Sequence, residues 1–115
     1  EKGEAINVVD DQFRTPTLAE DLAQGTLLAA DQKAHGVFNI AGPDYMSIYE
    51  LVGQVAQYFS LSMDSVTRVD STTLNQPAKR PPATGFDIGK ARKELGYTPH
   101  TFTEALEIIA QQTGL

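Results

Sequence analysis

The sequence predicts an α+β fold, formed as a single domain over residues 1–115 with about three short strands and four helices. Three observations predict it. The chain has 115 residues, of which 41% are hydrophobic, and this is enough for one modest core. Short β-branched runs end at turn residues, as strands do. Longer segments repeat apolar residues at helical spacing behind capping residues.

Three runs have the composition of short strands. The first is Ile6–Val9, which is followed by the turn-forming pair Asp10 and Asp11. The second is Val37–Ala41, which ends at a Gly-Pro-Asp turn, and the third is Val66–Val69. β-branched and aromatic residues between turn residues favour extended backbone.

Two helices are predicted in the first half of the chain. Thr17 with Glu20 three residues later has the capping-box pattern, which opens a helix through about Asp31. Ser47 with Glu50 opens the clearest helix of the sequence in the same way. Apolar residues at core spacing follow Ser47, so this face is expected to be buried against something.

The second half of the chain predicts a long loop and two further helices. Residues 71–84 are polar and hold three prolines, and long ordered loops in compact domains are often functional. Asp87 can cap a short helix that Gly96 closes in a left-handed conformation. A final helix starts near Thr101 or Thr103.

The charge of the chain argues against nucleic acid as a partner. A formal net charge of -6 and a pI near 4.7 are poorly suited to neutralising many phosphates. The basic residues are unevenly placed, however, because Lys79 and Arg80 lie together in the proline-rich loop and Lys90, Arg92 and Lys93 follow soon after. A local anion-binding site at these basic residues is therefore still compatible with the sequence.

The amino-acid composition of the chain is also relevant to where the protein is located in the cell. No apolar stretch approaches the length of a membrane span, and the first residues have neither a signal pattern nor an initiator Met. We therefore expect no membrane partner and a chain cut from a longer one. The lack of cysteine excludes disulfides and thiolate metal sites and is compatible with a cytoplasmic location.

The usual catalytic and cofactor patterns are missing from the sequence. The glycines never fall in the spacing of a dinucleotide fingerprint or a phosphate-cradling loop, and no Tyr has a Lys four positions on. His35 and His100 are far apart and are expected to be loop residues without a metal. We expect no catalytic, cofactor-binding or metal-binding residue in this chain.

Four stretches of the sequence, taken in order, form a recognisable set. They are Asp11–Thr17 with Asp21-Leu22-Ala23; Gly36–Gly42 leading to Ser47; Arg80-Pro81 with Asp87, Lys90, Leu95-Gly96-Tyr97 and Pro99; and Phe102 with Leu106. Each pattern alone is weak, but the ordered set is fairly specific. It resembles the C-terminal region of the extended short-chain dehydrogenases, and most closely their dTDP-4-dehydrorhamnose reductase branch.

The resemblance implies that this chain is the small C-terminal substrate-binding domain of a longer protein. An upstream Rossmann domain, absent here, would bind NADPH or NADH and hold the catalytic Tyr and Lys. The substrate would be a dTDP-sugar or another nucleotide sugar, in deoxysugar and cell-surface polysaccharide biosynthesis. The partner of this domain would be the Rossmann domain of the same polypeptide. We also expect the protein to form a homodimer.

The resemblance also implies four substrate-binding residues. Arg80 lies where the family places an arginine on the nucleotide diphosphate, and its planar donor fork matches phosphate oxygens. Arg14 stands seven residues before Asp21, the interval of a phosphate-binding arginine in sugar-nucleotide epimerases of the family. Many rhamnose-branch reductases have Gly at that position, which leaves the exact substrate open. Gln12 and Thr17 belong to the matched motif and are expected mainly to shape the loop.

Other interpretations of the same residues stay open. The two arginines could simply be solvated, Arg14 in a surface ion pair with Asp10, Asp11 or Glu20. The parent could be another nucleotide-sugar epimerase or dehydratase, or a non-catalytic regulatory subunit with the same fold. A third hypothesis is an independent interaction domain that uses its apolar helix faces for self-association.

Overall fold

A computed structural model describes residues 4–72 and 77–114, which form four helices and five short strands. None of these helices is long and apolar enough to span a membrane. In chain order the elements are β1 (Ile6–Val9), β2 (Phe13–Arg14), α1 (Ala19–Asp31), β3 (Met46–Ser47), α2 (Ile48–Tyr58), β4 (Val66–Val69), β5 (Ala83–Thr84), α3 (Gly89–Leu95) and α4 (Phe102–Thr113).

Contacts between residues group the chain into two compact units. The first unit comprises Glu1–Arg14 and Tyr45–Thr84, and it holds all five strands and α2. The second unit comprises Thr15–Asp44 and Gly85–Leu115, and it holds α1, α3 and α4. The single domain predicted over residues 1–115 stays a prediction.

The first unit contains two small sheets and one helix. Strands β1 and β4 pair in parallel, with Ile6 opposite Val66. Strand β2 lies between β3, which is antiparallel to it, and β5, which is parallel. The Ser47 hydroxyl accepts a hydrogen bond from the backbone N–H of Glu50 and so caps α2, as the sequence predicts. Helix α2 packs against β1 and β3.

In the second unit, residues of helices α1 and α3 pack around Tyr97. This side chain is 1% exposed, and its hydroxyl donates to the backbone oxygen of Ala41 at 2.8 Å. Gly96 ends α3 at a φ of 72°, a left-handed conformation that favours glycine. The core residues around Tyr97 are Ala41, Ile88, Ala91 and Leu95, with Leu28, Ala29, Ala34, Phe38 and Ile40 against them.

The start of the last helix is confirmed. Thr101 and Glu104 form a reciprocal capping box, in which each side chain accepts from the other residue's backbone N–H. The Asp44 carboxylate also accepts from the N–H of Phe102 at 2.8 Å. These bonds satisfy N–H groups at the helix start that have no partner within the helix, so α4 begins at Phe102.

The predicted capping box of α1 is wrong. Helix α1 begins at Ala19 after Leu18, and no side chain caps it. The Thr17 hydroxyl lies one residue too early and is already used, because it donates to the oxygen of Thr15 and accepts from the N–H of Gly42. The carboxylate of Glu20 accepts instead from the Gln112 amide.

The predicted strand Val37–Ala41 is also wrong, because these residues form no ladder. They do alternate as a strand would, with Phe38 and Ile40 partly buried and Val37 80% exposed. Side chains, however, take two of the backbone oxygens: the Lys90 ammonium binds that of Val37 and the Tyr97 hydroxyl that of Ala41. Extended backbone without a neighbouring strand is not a sheet.

Candidate functional site

The pairing of β2 with β5 places Arg14 beside the proline-rich loop. In this parallel pair Arg14 lies opposite Thr84, and the N–H of Phe13 donates to the oxygen of Pro82 at 2.7 Å. One guanidinium nitrogen of Arg14, Nη1, donates to the backbone oxygens of Phe13 at 2.7 Å and of Pro81 at 3.2 Å. Arg14 is thereby held next to the residue that follows Arg80.

Gln12 supports Arg14 from within the first unit. It is 5% exposed, and its Oε1 accepts from Nη2 of Arg14 at 3.5 Å. Its backbone oxygen accepts from the N–H of Ile48 at 3.0 Å, which fixes it against the start of α2. Its Nε2 is buried without a hydrogen-bond partner among the described residues, and an unpaired buried donor is costly unless another group satisfies it.

The charge of Arg14 is not neutralised by the acidic residues near it in sequence. Asp10 pairs with Arg68 at 2.6 Å, Asp11 accepts from Ser71, and Glu20 accepts from Gln112 at 2.9 Å. Within residues 4–72 and 77–114, Arg14 forms no salt bridge. Its three hydrogen bonds go to neutral oxygens, which leaves some of the five donors of a guanidinium available.

Arg80 lies on the exposed loop that leads into β5. It forms no salt bridge or side-chain hydrogen bond with the part of the chain that the structure describes. Two cationic side chains, one half-buried and one exposed, therefore occupy adjoining backbone segments without a counter-ion from the described residues. This arrangement can bind an anion with more than one oxygen.

Thr17, the fourth predicted site residue, belongs to the second unit. Its hydroxyl donates to the oxygen of Thr15 and accepts from the N–H of Gly42, each at 3.0 Å. A Cβ at position 42 would lie 1.9 Å from the oxygen of Pro16, so only glycine fits this close approach. These contacts give the Thr17 hydroxyl a role in shaping its loop.

A pair that the sequence did not predict joins Asp21 and His100. The Asp21 carboxylate accepts from the backbone N–H of His100 and bonds Nδ1 of its ring, each at 2.7 Å. This hydrogen bond and the negative charge of Asp21 raise the pKa of His100. The two residues are 79 positions apart, and neither has a spacing pattern that would reveal the pair. No group of three or more metal-ligating side chains occurs in the described residues.

A profile of the family described as RmlD substrate binding domain matches residues 1–114. The chain belongs to the RmlD substrate binding domain family. The resemblance found in the sequence is thereby confirmed at the level of the family. No curated protein sequence matches the chain.

Solved structures share the fold of this chain. A dTDP-4-dehydrorhamnose reductase from Clostridium acetobutylicum matches 97% of this chain with a TM-score of 0.86 at 24% identity. The enzyme of the same name from Bacillus anthracis, solved with NADP, matches 95% with a TM-score of 0.84 at 23% identity. A dTDP-glucose 4,6-dehydratase from Bacillus anthracis, solved with NAD, matches 98% with a TM-score of 0.78 at 16% identity.

The chain covers only part of these proteins. It spans 40% and 38% of the two reductase chains and 35% of the dehydratase chain. At these identities the likeness shows the fold, and the α+β class predicted from the sequence is confirmed.

Proposed function

We propose that this chain is the substrate-binding part of an NAD(P)-dependent oxidoreductase that acts on a nucleotide-diphosphate sugar, and that Arg14 and Arg80 bind the diphosphate. The observation that carries the proposal is the hydrogen bond from Arg14 to Pro81, next to Arg80. It holds one guanidinium beside the segment that carries the other. Neither arginine has a carboxylate partner in the described residues.

Each residue has a distinct part in binding. The Phe13 and Pro81 oxygens restrict Nη1 of Arg14, which reduces the rotamer entropy lost when the ligand binds. Gln12 holds the other end of the guanidinium through Nη2 and is a positioning residue. Arg80 is exposed and has no described partner, and it would bind the diphosphate from the loop. A charge-assisted hydrogen bond of this kind is worth about 1.5 to 3 kcal/mol.

The hydride chemistry belongs to the upstream part of the proposed enzyme. The glycines of this chain lack the spacing of a dinucleotide-binding turn, so its residues are not expected to hold the cofactor. The nicotinamide of NADPH or NADH would supply a hydride to the 4-keto carbon of the sugar, and an upstream Tyr would supply the proton. The residues described here bind and orient the sugar nucleotide.

Substitution of the arginines tests the proposal in the complete enzyme. Arg14→Ala and Arg80→Ala should each raise the KM for the nucleotide-diphosphate sugar by roughly 10- to 100-fold, the equivalent of the lost bonds. Arg14→Lys should recover part of the loss, because it restores charge without the planar fork. Arg68→Ala is the matched control, since Arg68 is paired with Asp10. Unchanged KM values for both Ala variants would contradict the proposal.

An epimerase or dehydratase acting on a nucleotide sugar is the second candidate. The dTDP-glucose 4,6-dehydratase structure matches 98% of the chain, so the fold alone suits either chemistry. A reductase consumes NADPH or NADH stoichiometrically with a 4-keto sugar nucleotide, whereas an epimerase or dehydratase regenerates its cofactor. Measuring nicotinamide absorbance during turnover of the complete enzyme separates the two.

The proposal includes a cytoplasmic location, an upstream Rossmann domain as partner and a homodimer. The location is supported by the absence of cysteine from the chain and of a membrane-spanning helix from the described residues. Fractionation of the source cells, together with light scattering of the complete enzyme, tests the location and the homodimer.

A further inference from the structure

A groove of about 560 Å³ lies in the first unit, apart from the candidate anion site. Helix α2, strand β1 and the segment 61–66 line it, and we call it the β1–α2 groove. Gln12, Arg14 and Arg80 are not among its lining residues. Its apolar lining includes Ile6, Val52, Val55, Leu61, Met63 and Val66.

The apolar residues of the groove are incompletely buried. Ile6 is 47% exposed and Leu61 37% exposed, and Val52 and Val55 of α2 are only half-buried. Val52 and Val55 belong to the helix face that the sequence predicts to be buried. A concentrated apolar surface of this kind marks a contact with another polypeptide segment or a ligand.

The sheet beside the groove is also small. Within the described ranges, β1 and β4 each pair only with the other. Parallel strands occur almost entirely in sheets covered on both faces, and isolated two-stranded pairs are marginally stable at best. Helix α2 packs against β1, and the groove leaves apolar side chains beside it open. Further covering residues are therefore expected.

We propose that the polypeptide preceding Glu1 packs apolar side chains into the β1–α2 groove. The inference rests on the proposed function, in which this chain is the C-terminal part of a longer enzyme. Glu4 and Ile6, close to the point where such a polypeptide would join, themselves line the groove. The reductase structures are more than twice as long as the part that this chain matches. A directly linked segment also reaches the groove at high effective concentration.

Charge at the groove favours this occupant over a second copy. Glu4 and Asp64 add carboxylates to the lining, so an apolar segment flanked by Lys or Arg would complement it. A two-fold interface presents the same patch from both copies. Two copies would bring like charges together, which is unfavourable.

The inference is tested in a polypeptide that includes the residues preceding Glu1, by measuring how far a thiol placed in the groove is protected from labelling. The described chain contains no cysteine, so Ser65→Cys introduces a thiol of nearly the same size into the groove lining. Gln57→Cys is the matched control, on the exposed side of α2 and outside the groove. Labelling with N-ethylmaleimide is followed by peptide mass spectrometry, and each rate is divided by its rate in urea.

The expected result is a groove thiol that reacts at least about 100-fold more slowly than the control, as a packed site does, at every protein concentration. Equal rates would overturn the inference. Protection lost on roughly 100-fold dilution would also overturn it, because it would identify a second copy as the occupant. If Ser65→Cys lowers expression, Ser62→Cys samples the same lining. Labelling uses no sugar nucleotide, so its failure is distinct from a failure of the KM test.

Discussion

The carboxylate of Asp21 holds His100 through two hydrogen bonds of 2.7 Å, one accepted from the backbone N–H and one shared with the ring nitrogen Nδ1. The Asp21 side chain is 7% exposed, whereas the His100 ring is 44% exposed. Asp21 lies in the first turn of α1, where the helix dipole favours a negative charge. The pair therefore ties the start of α1 to the residue that precedes the cap of α4.

Stability is expected to fall as pH rises through the pKa of His100. The hydrogen bond to Asp21 and its charge raise the pKa of His100 above its ordinary value, about 6.5 in unfolded chains. The stabilisation is therefore complete below about pH 6.5 and is lost as pH rises through the higher folded-state value. The loss should be under about 1 kcal/mol, because the ring is solvent-exposed.

Urea unfolding of the chain at a series of pH values measures this effect. His100→Asn removes the titrating ring, so its free energy of unfolding should lack the decrease above about pH 6.5. His35→Asn is the matched control, since His35 is exposed and bonds no described side chain. A wild-type pH profile that His100→Asn leaves unaltered would assign the decrease to other groups.

The sequence alone was sufficient to predict elements whose conformation depends mainly on residues close together in the chain. Val66–Val69 is a strand as predicted, Ser47 caps α2, and Gly96 ends α3. It was insufficient where the partner is remote. The two-residue strands at 13–14 and 83–84 are strands only through pairing with remote segments, because 13–14 pairs with both 46–47 and 83–84, and so short a run has no periodicity to read.

The candidate site shows the same division. The loop position of Arg80 and the basic residues near it could be read from the sequence, whereas Arg14 lies in strand β2, which the sequence did not predict. The partners of the acidic residues could not be read from it, because Asp10 bonds a residue 58 positions away and Asp21 one 79 positions away. The ion pair of Arg14 with Asp10, Asp11 or Glu20 considered from the sequence does not form, since each carboxylate has another partner.

Tyr97→Phe should destabilise the second unit by about 1 to 2 kcal/mol. The substitution keeps the ring but leaves the buried oxygen of Ala41 without the donor that now lies at 2.8 Å. Burial also raises the pKa of the Tyr97 phenol, so the hydroxyl stays protonated and able to donate. Urea unfolding near pH 7 measures the change, with Tyr58→Phe as the exposed control. Equal stabilities of the two variants would refute a structural role for this bond.

Two glycine substitutions should change stability in opposite directions. Gly42→Ala places a Cβ 1.9 Å from the backbone oxygen of Pro16, and relieving the clash should cost at least about 2 kcal/mol. Gly53→Ala meets no atom within 4 Å inside α2, and should stabilise by about 0.5 to 1 kcal/mol, because alanine favours the helix. Thermal unfolding of both variants checks the pair. A small loss of stability in Gly42→Ala would mean that the loop at Pro16 can move away from the added Cβ.

The isolated 115-residue chain should bind dTDP only weakly. Two arginine contacts together contribute about 3 to 6 kcal/mol, which barely offsets the roughly 4 kcal/mol or more lost in immobilising a ligand. The dissociation constant is therefore expected to be about millimolar or weaker, and no NADPH oxidation should occur with a dTDP-4-keto sugar. Titration calorimetry measures the binding, with the Arg14→Ala, Arg80→Ala double variant as control. A micromolar dissociation constant for the wild-type chain, with no binding by the double variant, would show that this chain forms a complete nucleotide site by itself.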